Sequence, residues 1–182
     1  MRDPSESPSH IVLVGPMGAG KSSIGRLLAV RLQRAFTDLD ACIEAEADTT
    51  ITAIFASEGE AGFRSRECRA LIDALAKTAA SVIATGGGAV LNAGNRSAMR
   101  DASTVIYLQV EPAMQMQRLA GDDTRPLLAT DHPAQQLAEL QAMREPLYLE
   151  VADIVFDTTQ HSPENAAVAM VALLEQASER CV

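Results

Sequence analysis

The sequence predicts an α/β fold in which a five-stranded parallel sheet carries helices on both faces. Three observations predict it. Five short apolar runs, rich in β-branched residues, are typical of buried strands, helical patterns with one apolar face lie between them, and no repeat or low-complexity tract divides the 182 residues. Because domains average about 150 residues, we expect a single domain over residues 1–182.

The five predicted strands are separated by segments long enough to hold a helix. The strands are Ile11 to Val14, a short run near Phe36, Val82 to Ala84, Thr104 to Leu108, and Ile154 to Phe156. Apolar residues at helical spacing from Ile24 to Leu32 indicate the first helix, and Ser162 with Pro163 marks the start of the last one. Residues 1–9 are polar, so we expect a flexible tail there. In such a sheet, ligands bind at the carboxyl ends of the strands.

A phosphate-binding motif follows the first strand. Residues 15–22 read GPMGAGKS, which satisfies GxxxxGK[ST] between an apolar strand and an amphipathic helix. Its glycines allow successive backbone N–H groups to point at a polyphosphate, while Lys21 would contact the β- and γ-phosphates and Ser22 would bind Mg²⁺. The alternative is a glycine-rich turn that binds nothing. It is disfavoured because the chain has only two lysines, Lys21 and Lys77, and places one of them here.

The class of nucleotide-binding protein can be narrowed further. The strings NKxD and DxxG, typical of guanine-specific switches, occur nowhere in the chain. Motor and transporter ATPases need additional domains for coupling, whereas we expect one sheet and its helices to account for all 182 residues. These observations favour a small-molecule kinase, which needs an acceptor pocket and positive charge beside the γ-phosphate.

Two carboxylates follow one another at the end of the second predicted strand. Side chains two apart in an extended segment face the same way, so in residues 36–40 (FTDLD) we expect Asp38 and Asp40 to point together at the phosphate loop. One would serve the metal, and the other would accept a hydrogen bond from the acceptor hydroxyl, as a base or as an aligning group. Two alternatives are open: Asp40 caps a helix that begins at Ala41, or Asp157, at the end of the fifth strand, is the acid of a Walker B segment.

Arginines supply candidates for local positive charge. An acidic protein that binds an anionic nucleotide must place cationic side chains against its own net field. The candidates are Arg64, Arg66, Arg69, Arg118, Arg125 and Arg144. The alternative for any one of them is an exposed helix pair, such as Arg64 with Glu67 three residues later.

A run of three glycines, Gly86, Gly87 and Gly88, follows the third predicted strand. Glycines at the carboxyl end of a parallel strand expose backbone N–H groups and let a ligand approach closely. The alternative is a loose turn with no ligand.

Taken together, these motifs resemble the shikimate kinase family. The segments GPMGAGKSSIGRLLA, DLD, EGEAGFRSRE, ATGGGAV, TRPLL and REPLY occur in the order and spacing of that family, over roughly residues 11 to 160. The resemblance implies a three-layer P-loop kinase fold with an acceptor-binding segment at about 38–69 and a lid at about 121–133. It also implies ATP-dependent phosphorylation of the 3-hydroxyl of shikimate, in aromatic amino acid biosynthesis.

The resemblance assigns roles to individual residues. The residues implied to bind ATP are Gly18, Ala19, Gly20, Lys21, Ser22, Ser23, Arg118, Arg125 and Gln160. Those implied to bind shikimate are Asp40, Arg64, Gly86, Gly87, Gly88 and Arg144, of which the two arginines would hold the carboxylate. Ser22 and Asp38 would serve Mg²⁺, the latter through water. Lys21, Asp40 and Arg125 would act in catalysis.

The chain departs from the family at a few positions. Leu39 stands where a small polar residue is common, and Ser23 replaces a frequent threonine. Gln160 and His161 occupy a region where some members place an adenine-stacking arginine.

Two other functions are compatible with the motifs: a kinase for another polyol acid such as gluconate, and a nonenzymatic ATP-dependent switch.

The composition argues against several kinds of partner. With 15 basic and 24 acidic residues, a net charge of −9 and 3% aromatic residues, the chain lacks the basic surface and stacking platforms of a nucleic-acid binder. No segment approaches the ~18 uncharged apolar residues of a membrane span. Three scattered cysteines without a CxxC pair indicate neither a disulfide framework nor a zinc site. We therefore expect a cytoplasmic monomer without nucleic-acid or membrane partners.

Overall fold

The computed structural model describes residues 10–120 and 132–179, and its five strands form one parallel sheet. The strands are β1 (His10–Val14), β2 (Ala35–Asp38), β3 (Ser81–Ala84), β4 (Ser103–Gln109) and β5 (Ile154–Asp157). Their order across the sheet is β2-β3-β1-β4-β5, and every neighbouring pair is parallel. The predicted α/β class and the five predicted strands are therefore confirmed.

Helices connect the strands and cover both faces of the sheet. They are α1 (Lys21–Arg31), α2 (Leu39–Ala47), α3 (Ile51–Leu75), α4 (Ala93–Ala102), α5 (Pro112–Leu119), α6 (Pro133–Val151) and α7 (Pro163–Glu179), with a 3₁₀ turn over Ala89–Leu91. The helix α3 is kinked at Gly59, whose φ of 69° is not helical. Within the described ranges, no helix is both long and apolar enough to cross a membrane.

The burial of both faces of β1 explains why its residues from Ile11 to Val14 are all apolar. Successive side chains of a strand point to opposite faces. Val12 and Val14 pack in the core beneath α3 and α6, whereas Ile11 and Leu13 pack in the core beneath α1 and α7. A strand covered by helices on both sides has no polar face, so its sequence reads as a continuous apolar run.

The register of the sheet brings three chain segments to one edge. Ala84, the last residue of β3, pairs with Leu13 of β1 on one side and with Asp38 of β2 on the other. The residues that follow these three strand ends must therefore lie side by side. They are the P-loop after β1, the start of α2 after β2, and the triple glycine after β3.

The segment at the end of β2 is not extended through Asp40, so that prediction is wrong. The helix α2 begins at Leu39 and is capped by Asp38, whose Oδ1 accepts hydrogen bonds from the backbone N–H groups of Asp40 (3.1 Å) and Ala41 (3.5 Å). A carboxylate at this position satisfies N–H groups that have no partner within the helix, and this favours helix over a longer strand. The alternative in which Asp40 caps a helix beginning at Ala41 is wrong for the same reason.

Several predictions fall outside the residues that the structure describes. They are the tail at 1–9, Arg125, and positions 121–131 of the expected lid. The last two positions of that lid are described: residue 132 precedes α6, and residue 133 begins it.

Candidate active site

A cavity of about 1020 Å³ opens where β1, β2 and β3 end. The predicted site residues that line it are Gly18, Gly20, Lys21, Ser22, Ser23, Asp38, Asp40, Arg64, Gly86, Gly87, Gly88, Arg118 and Arg144. The cavity runs from the P-loop to α2 and α3, which contain the segment at about 38–69 that was expected to bind the acceptor. The structure thus collects residues from distant parts of the sequence at one edge of the sheet.

Two predicted residues are not brought to the cavity wall. The side chain of Ala19 is fully buried in the core shared by α1 and α7, and its backbone N–H donates to the carbonyl of Pro16 at 3.3 Å. Gln160 is exposed and does not line the cavity, whereas its neighbour His161 does. The alternative acid Asp157 is also outside: it lies on the edge strand β5, and its Oδ1 accepts a hydrogen bond from the backbone N–H of Thr159 at 2.8 Å.

The P-loop has the backbone geometry of an anion-binding turn. Gly15, Gly18 and Gly20 have φ values of 141°, 75° and 91°, which residues with a Cβ atom rarely adopt. At Gly15 a Cβ atom would also collide with the carbonyl oxygen of Leu108. Gly20 begins α1 without a side-chain cap, so the first N–H groups of the helix can bind an anion.

The side chain of Lys21 folds back over the P-loop. Its Nζ donates to the carbonyl oxygens of Gly15 and Pro16, both at 2.8 Å, and the residue is only 9% exposed. These bonds hold the ammonium group at the mouth of the loop. A phosphate bound by the loop amides would lie within reach of this cation.

The triple glycine lies against two acidic side chains. A Cβ atom at Gly86 would collide with Oε1 of Glu67 and lie 3.0 Å from Oδ1 of Asp40. Glu67 comes from α3 and Asp40 from α2, so two helices place carboxylates at one point of the β3 loop. Only glycine permits this close approach.

Arg64 is held by two carboxylates of its own helix. Its Nη1 donates to Oε2 of Glu67 at 2.7 Å, while its Nε and Nη2 donate to Oε1 of Glu60 at 3.3 and 3.0 Å. The terminal edge of the guanidinium, formed by Nη1 and Nη2, lies over Gly88, where a Cβ atom would collide with it. A guanidinium has five N–H groups, so this edge can still bind a carboxylate end-on.

Glu67 lines the cavity, although the sequence interpretation treated it only as a helix partner of Arg64. It is 1% exposed. Burial raises its pKa above the ordinary glutamate value, the charge of Arg64 opposes this shift, and the carboxylate of Asp40 adds to it. The spacing of Glu60 and Glu67, at i−4 and i+3 from Arg64, is the signal that could have identified both as its orienting groups.

Arg144 approaches the same loop from α6. The residue is 5% exposed, and its Nη1 would lie 3.6 Å from a Cβ atom at Gly87. Tyr148, one turn later on α6, donates its hydroxyl hydrogen to the carbonyl oxygen of Gly87. Burial raises the pKa of Tyr148, and the neighbouring Arg144 lowers it in part. Arg64 and Arg144 therefore meet the triple glycine from two different helices.

Arg118 and His161 border the other end of the cavity. Arg118 donates to the carbonyl of Gly18 at 3.2 Å and to the hydroxyl and carbonyl of Thr158 at 3.0 and 2.7 Å. These bonds fix its planar guanidinium between the P-loop and the segment after β5. The ring of His161 lies 5.1 Å from that of Phe156, so a second flat side chain borders the same opening.

Ser22 and Asp38 fit a magnesium ion that is held mainly by phosphates and water. Ser22 is exposed at the start of α1, and Asp38 uses only Oδ1 in the helix cap. Across residues 10–120 and 132–179, no group of three His, Cys, Asp or Glu side chains could hold a metal. Mg²⁺ in nucleotide sites typically takes one or two protein ligands and keeps several waters, so a hydroxyl and one carboxylate oxygen are sufficient.

The parallel sheet with a P-loop after β1, opening into a cavity lined by acids and arginines, defines a P-loop kinase. Residues 17–175 match the family model described as shikimate kinase. The chain belongs to the shikimate kinase family, and the resemblance noted from its motifs is confirmed.

Relatives of this chain carry the same description over nearly their full length. It is 46% identical to the shikimate kinase of Pseudomonas savastanoi over 171 residues, which cover 94% of this chain and 99% of that protein. It is 52% identical to the shikimate kinase of Chromohalobacter salexigens over 153 residues, 84% of each chain. The structure of shikimate kinase from Acinetobacter baumannii in complex with shikimate matches with a TM-score of 0.91 at 42% identity, over 94% of this chain and 96% of that one.

Proposed function

We propose that the protein transfers the γ-phosphate of ATP to the 3-hydroxyl of shikimate, giving shikimate 3-phosphate and ADP, in the route to aromatic amino acids. Membership of the shikimate kinase family supports the kinase reaction. One observation carries the acceptor: two arginines from different helices converge on the triple glycine, and Asp40 lies beside the same loop.

The acceptor half of the cavity suits a small ring that bears one carboxylate and several hydroxyls. The terminal edge of Arg64 and the guanidinium of Arg144 would bind the carboxylate, because planar guanidinium groups match its two oxygens. Asp40 would accept a hydrogen bond from the reacting hydroxyl. Gly86, Gly87 and Gly88 would allow the ring to lie close to the backbone and to its N–H groups.

The donor half would bind the triphosphate of ATP. The P-loop amides and Lys21 would hold its β- and γ-phosphates, and Lys21 would exchange its bonds to loop carbonyls for bonds to phosphate oxygens. Arg118 and His161 would contact the adenine, with His161 in place of the expected Gln160. Mg²⁺, bound by Ser22 and through water by Asp38, would neutralise charge that develops on the phosphates.

The chemical step requires alignment and charge stabilisation more than covalent chemistry. The oxygen of the acceptor forms a bond to the γ-phosphorus while the bond to the ADP oxygen breaks. Asp40 would align the hydroxyl and receive its proton, directly or after transfer has begun. Lys21, together with Arg125, would offset the negative charge on the transferred group and on the leaving phosphates.

An acceptor panel tests the proposed function. ADP release is measured with ATP and Mg²⁺ in the presence of shikimate, shikimate methyl ester or gluconate, and ³¹P NMR identifies the phosphorylated hydroxyl. We expect turnover on shikimate at the 3-position and little on the ester, which lacks the negative charge that the arginines would bind. Turnover on gluconate but not on shikimate would assign another polyol acid. Nucleotide binding without turnover on any acceptor would indicate a nonenzymatic switch.

We also propose that the protein acts as a cytoplasmic monomer without nucleic-acid or membrane partners. The candidate acids and arginines that line the described cavity come together within one chain, which supports a monomer. The net charge of −9 disfavours binding to nucleic acid or to an anionic membrane surface. Light scattering after size-exclusion chromatography, with and without ATP and shikimate, measures the oligomeric state.

A further inference from the structure

A small second cavity lies behind Arg144, between the P-loop and α6. Its volume is about 10 Å³, and its walls include Pro16 and Met17 of the P-loop and Gln141, Arg144 and Tyr148 of α6. One water molecule needs about 10 to 15 Å³ of such volume and two to four polar partners. The cavity is therefore at the lower limit of what one water molecule needs, and it cannot hold two.

Two buried polar atoms on residues that line this cavity lack protein partners. Among the residues that the structure describes, the Nε–H donor of Arg144 and the Oε1 acceptor of Gln141 make no hydrogen bond. Buried polar groups are almost always satisfied by protein or by ordered water. The two atoms are not bonded to each other, and both residues line this cavity. A single water molecule can accept a hydrogen bond from the donor and donate one to the acceptor.

The orientation of the Gln141 amide follows from its neighbours. Nε2 of Gln141 lies 3.0 Å from the hydroxyl oxygen of Tyr107, and that hydroxyl donates its hydrogen to Oε1 of Glu145 at 3.4 Å. Tyr107 must therefore accept a hydrogen bond from Gln141, because its own hydrogen is directed at the glutamate. The NH₂ group of Gln141 is fixed on the side of Tyr107, which leaves Oε1 as an acceptor elsewhere.

We propose that one water molecule occupies this cavity, accepts a hydrogen bond from Nε of Arg144 and donates one to Oε1 of Gln141. Gln141 is then a positioning residue for Arg144, which it holds through the water. With its Nε edge fixed in the wall, the guanidinium keeps its terminal nitrogens at Gly87. That these nitrogens bind the carboxylate of the acceptor rests on the proposed function, whereas the water site itself does not.

NMR of the full-length wild-type protein tests the water site directly. The Hε resonance of Arg144 is assigned in ¹⁵N-labelled protein by its loss in Arg144→Lys. We expect this Hε to be protected from exchange and to show a nuclear Overhauser contact with a long-lived water, and we expect Gln141→Met to remove that contact. An Hε that exchanges with bulk solvent, or one that contacts only the amide protons of Gln141, would overturn the proposal.

Kinetics test the positioning role. Loss of a neutral, water-mediated hydrogen bond should raise the shikimate KM of Gln141→Met about fivefold, with kcat and the ATP KM within about twofold of wild type. Gln135→Met makes the same change at an exposed position of α6. We expect this control to behave like wild type.

The NMR measurement and the kinetic comparison together distinguish failure of this inference from failure of the proposed function. Equal effects of Gln141→Met on both KM values would indicate general loosening around the P-loop and would reject the positioning role. No effect at all would reject it too. If the wild type does not phosphorylate shikimate, the proposed function fails, while the NMR result still decides whether the water is present.

Discussion

The Nη1 atom of Arg64 lies 2.7 Å from Oε2 of Glu67, a carboxylate that is only 1% exposed. The pKa of Glu67 is nevertheless raised on balance, because burial and the negative charge of Asp40 together outweigh the lowering by Arg64 and Arg144. Asp40 lies beside Glu67 at Gly86 of the triple glycine. The pocket thus keeps its arginine oriented at some expense of stability.

The raised pKa of Glu67 predicts a pH dependence of stability. A carboxyl group with a folded-state pKa above its unfolded value of 4.5 binds more protons in the folded than in the unfolded protein. Stability from this group is therefore fully present below the unfolded pKa and is lost as pH rises through the folded pKa. In Glu67→Gln this loss is absent, so we expect the free energy of unfolding of wild type minus that of the variant to fall as the pH rises above the unfolded value of 4.5.

Urea unfolding at several pH values measures this difference. Glu60→Gln is a suitable control, because Glu60 also contacts Arg64 but is largely exposed. The free energy of unfolding of wild type minus that of Glu60→Gln should change far less over the same pH range. If the corresponding value for Glu67→Gln stays constant or grows with pH, Arg64 lowers the pKa of Glu67 more than burial raises it.

Removal of Arg64 should affect the acceptor and not the nucleotide. In Arg64→Ala, the terminal edge over Gly88 is lost, and we expect the shikimate KM to rise about tenfold or more, since a charged hydrogen-bond pair contributes ~1.5 to 3 kcal/mol. The ATP KM should stay within about twofold, because Arg64 makes its hydrogen bonds to Glu60 and Glu67 of its own helix and not to the P-loop. Arg66→Ala is the matched control on the same helix, since Arg66 pairs with Glu58 and does not line the cavity. Equal rises of both KM values in Arg64→Ala would reject a carboxylate-binding role.

Substitution of Asp40 should separate chemistry from nucleotide binding. Asp40→Asn keeps the size of the side chain but removes the charge that would receive or align the hydroxyl proton. We expect kcat to fall about 100-fold or more, while ATP affinity measured by calorimetry stays near that of wild type. Asp48→Asn provides the control, because Asp48 ends α2 in the left-handed conformation that asparagine also tolerates. Unchanged kcat in Asp40→Asn would remove Asp40 from the reaction.

The sheet and the P-loop could be predicted from the sequence because their signals are local. An interior strand of a doubly covered sheet reads as a nearly continuous apolar run, and the loop motif occupies eight consecutive residues, 15–22. The end of β2 was predicted incorrectly. The strand was expected to continue to Asp40, but it ends at Asp38, because the Asp38 carboxylate caps α2 and the helix begins at the next residue.

The rest of the site depends on contacts that spacing alone does not fix. Arg64 was identified as a candidate with Glu67 as a helix partner, but the close approach of both side chains to the triple glycine follows only from the fold. Gln141 carried no recognisable motif, and its relation to Arg144 follows from a shared cavity. Sequence also did not decide whether Gln160 or His161 lines the cavity. The two residues are adjacent in a turn, where successive side chains point in different directions.

The two lysines of the chain allow a sharp test of the P-loop. Lys21 lies over the loop carbonyls with 9% of its surface exposed, whereas Lys77 follows α3 and is exposed. Because an ammonium group at the P-loop stabilises charge that develops on the phosphates, Lys21→Ala should reduce kcat by about 10²- to 10³-fold. Lys77→Ala makes the same change in net charge and should leave kcat within about twofold. Steady-state assays with saturating ATP and shikimate measure both variants, and near-normal turnover in Lys21→Ala would mean that the P-loop does not hold the reacting phosphate.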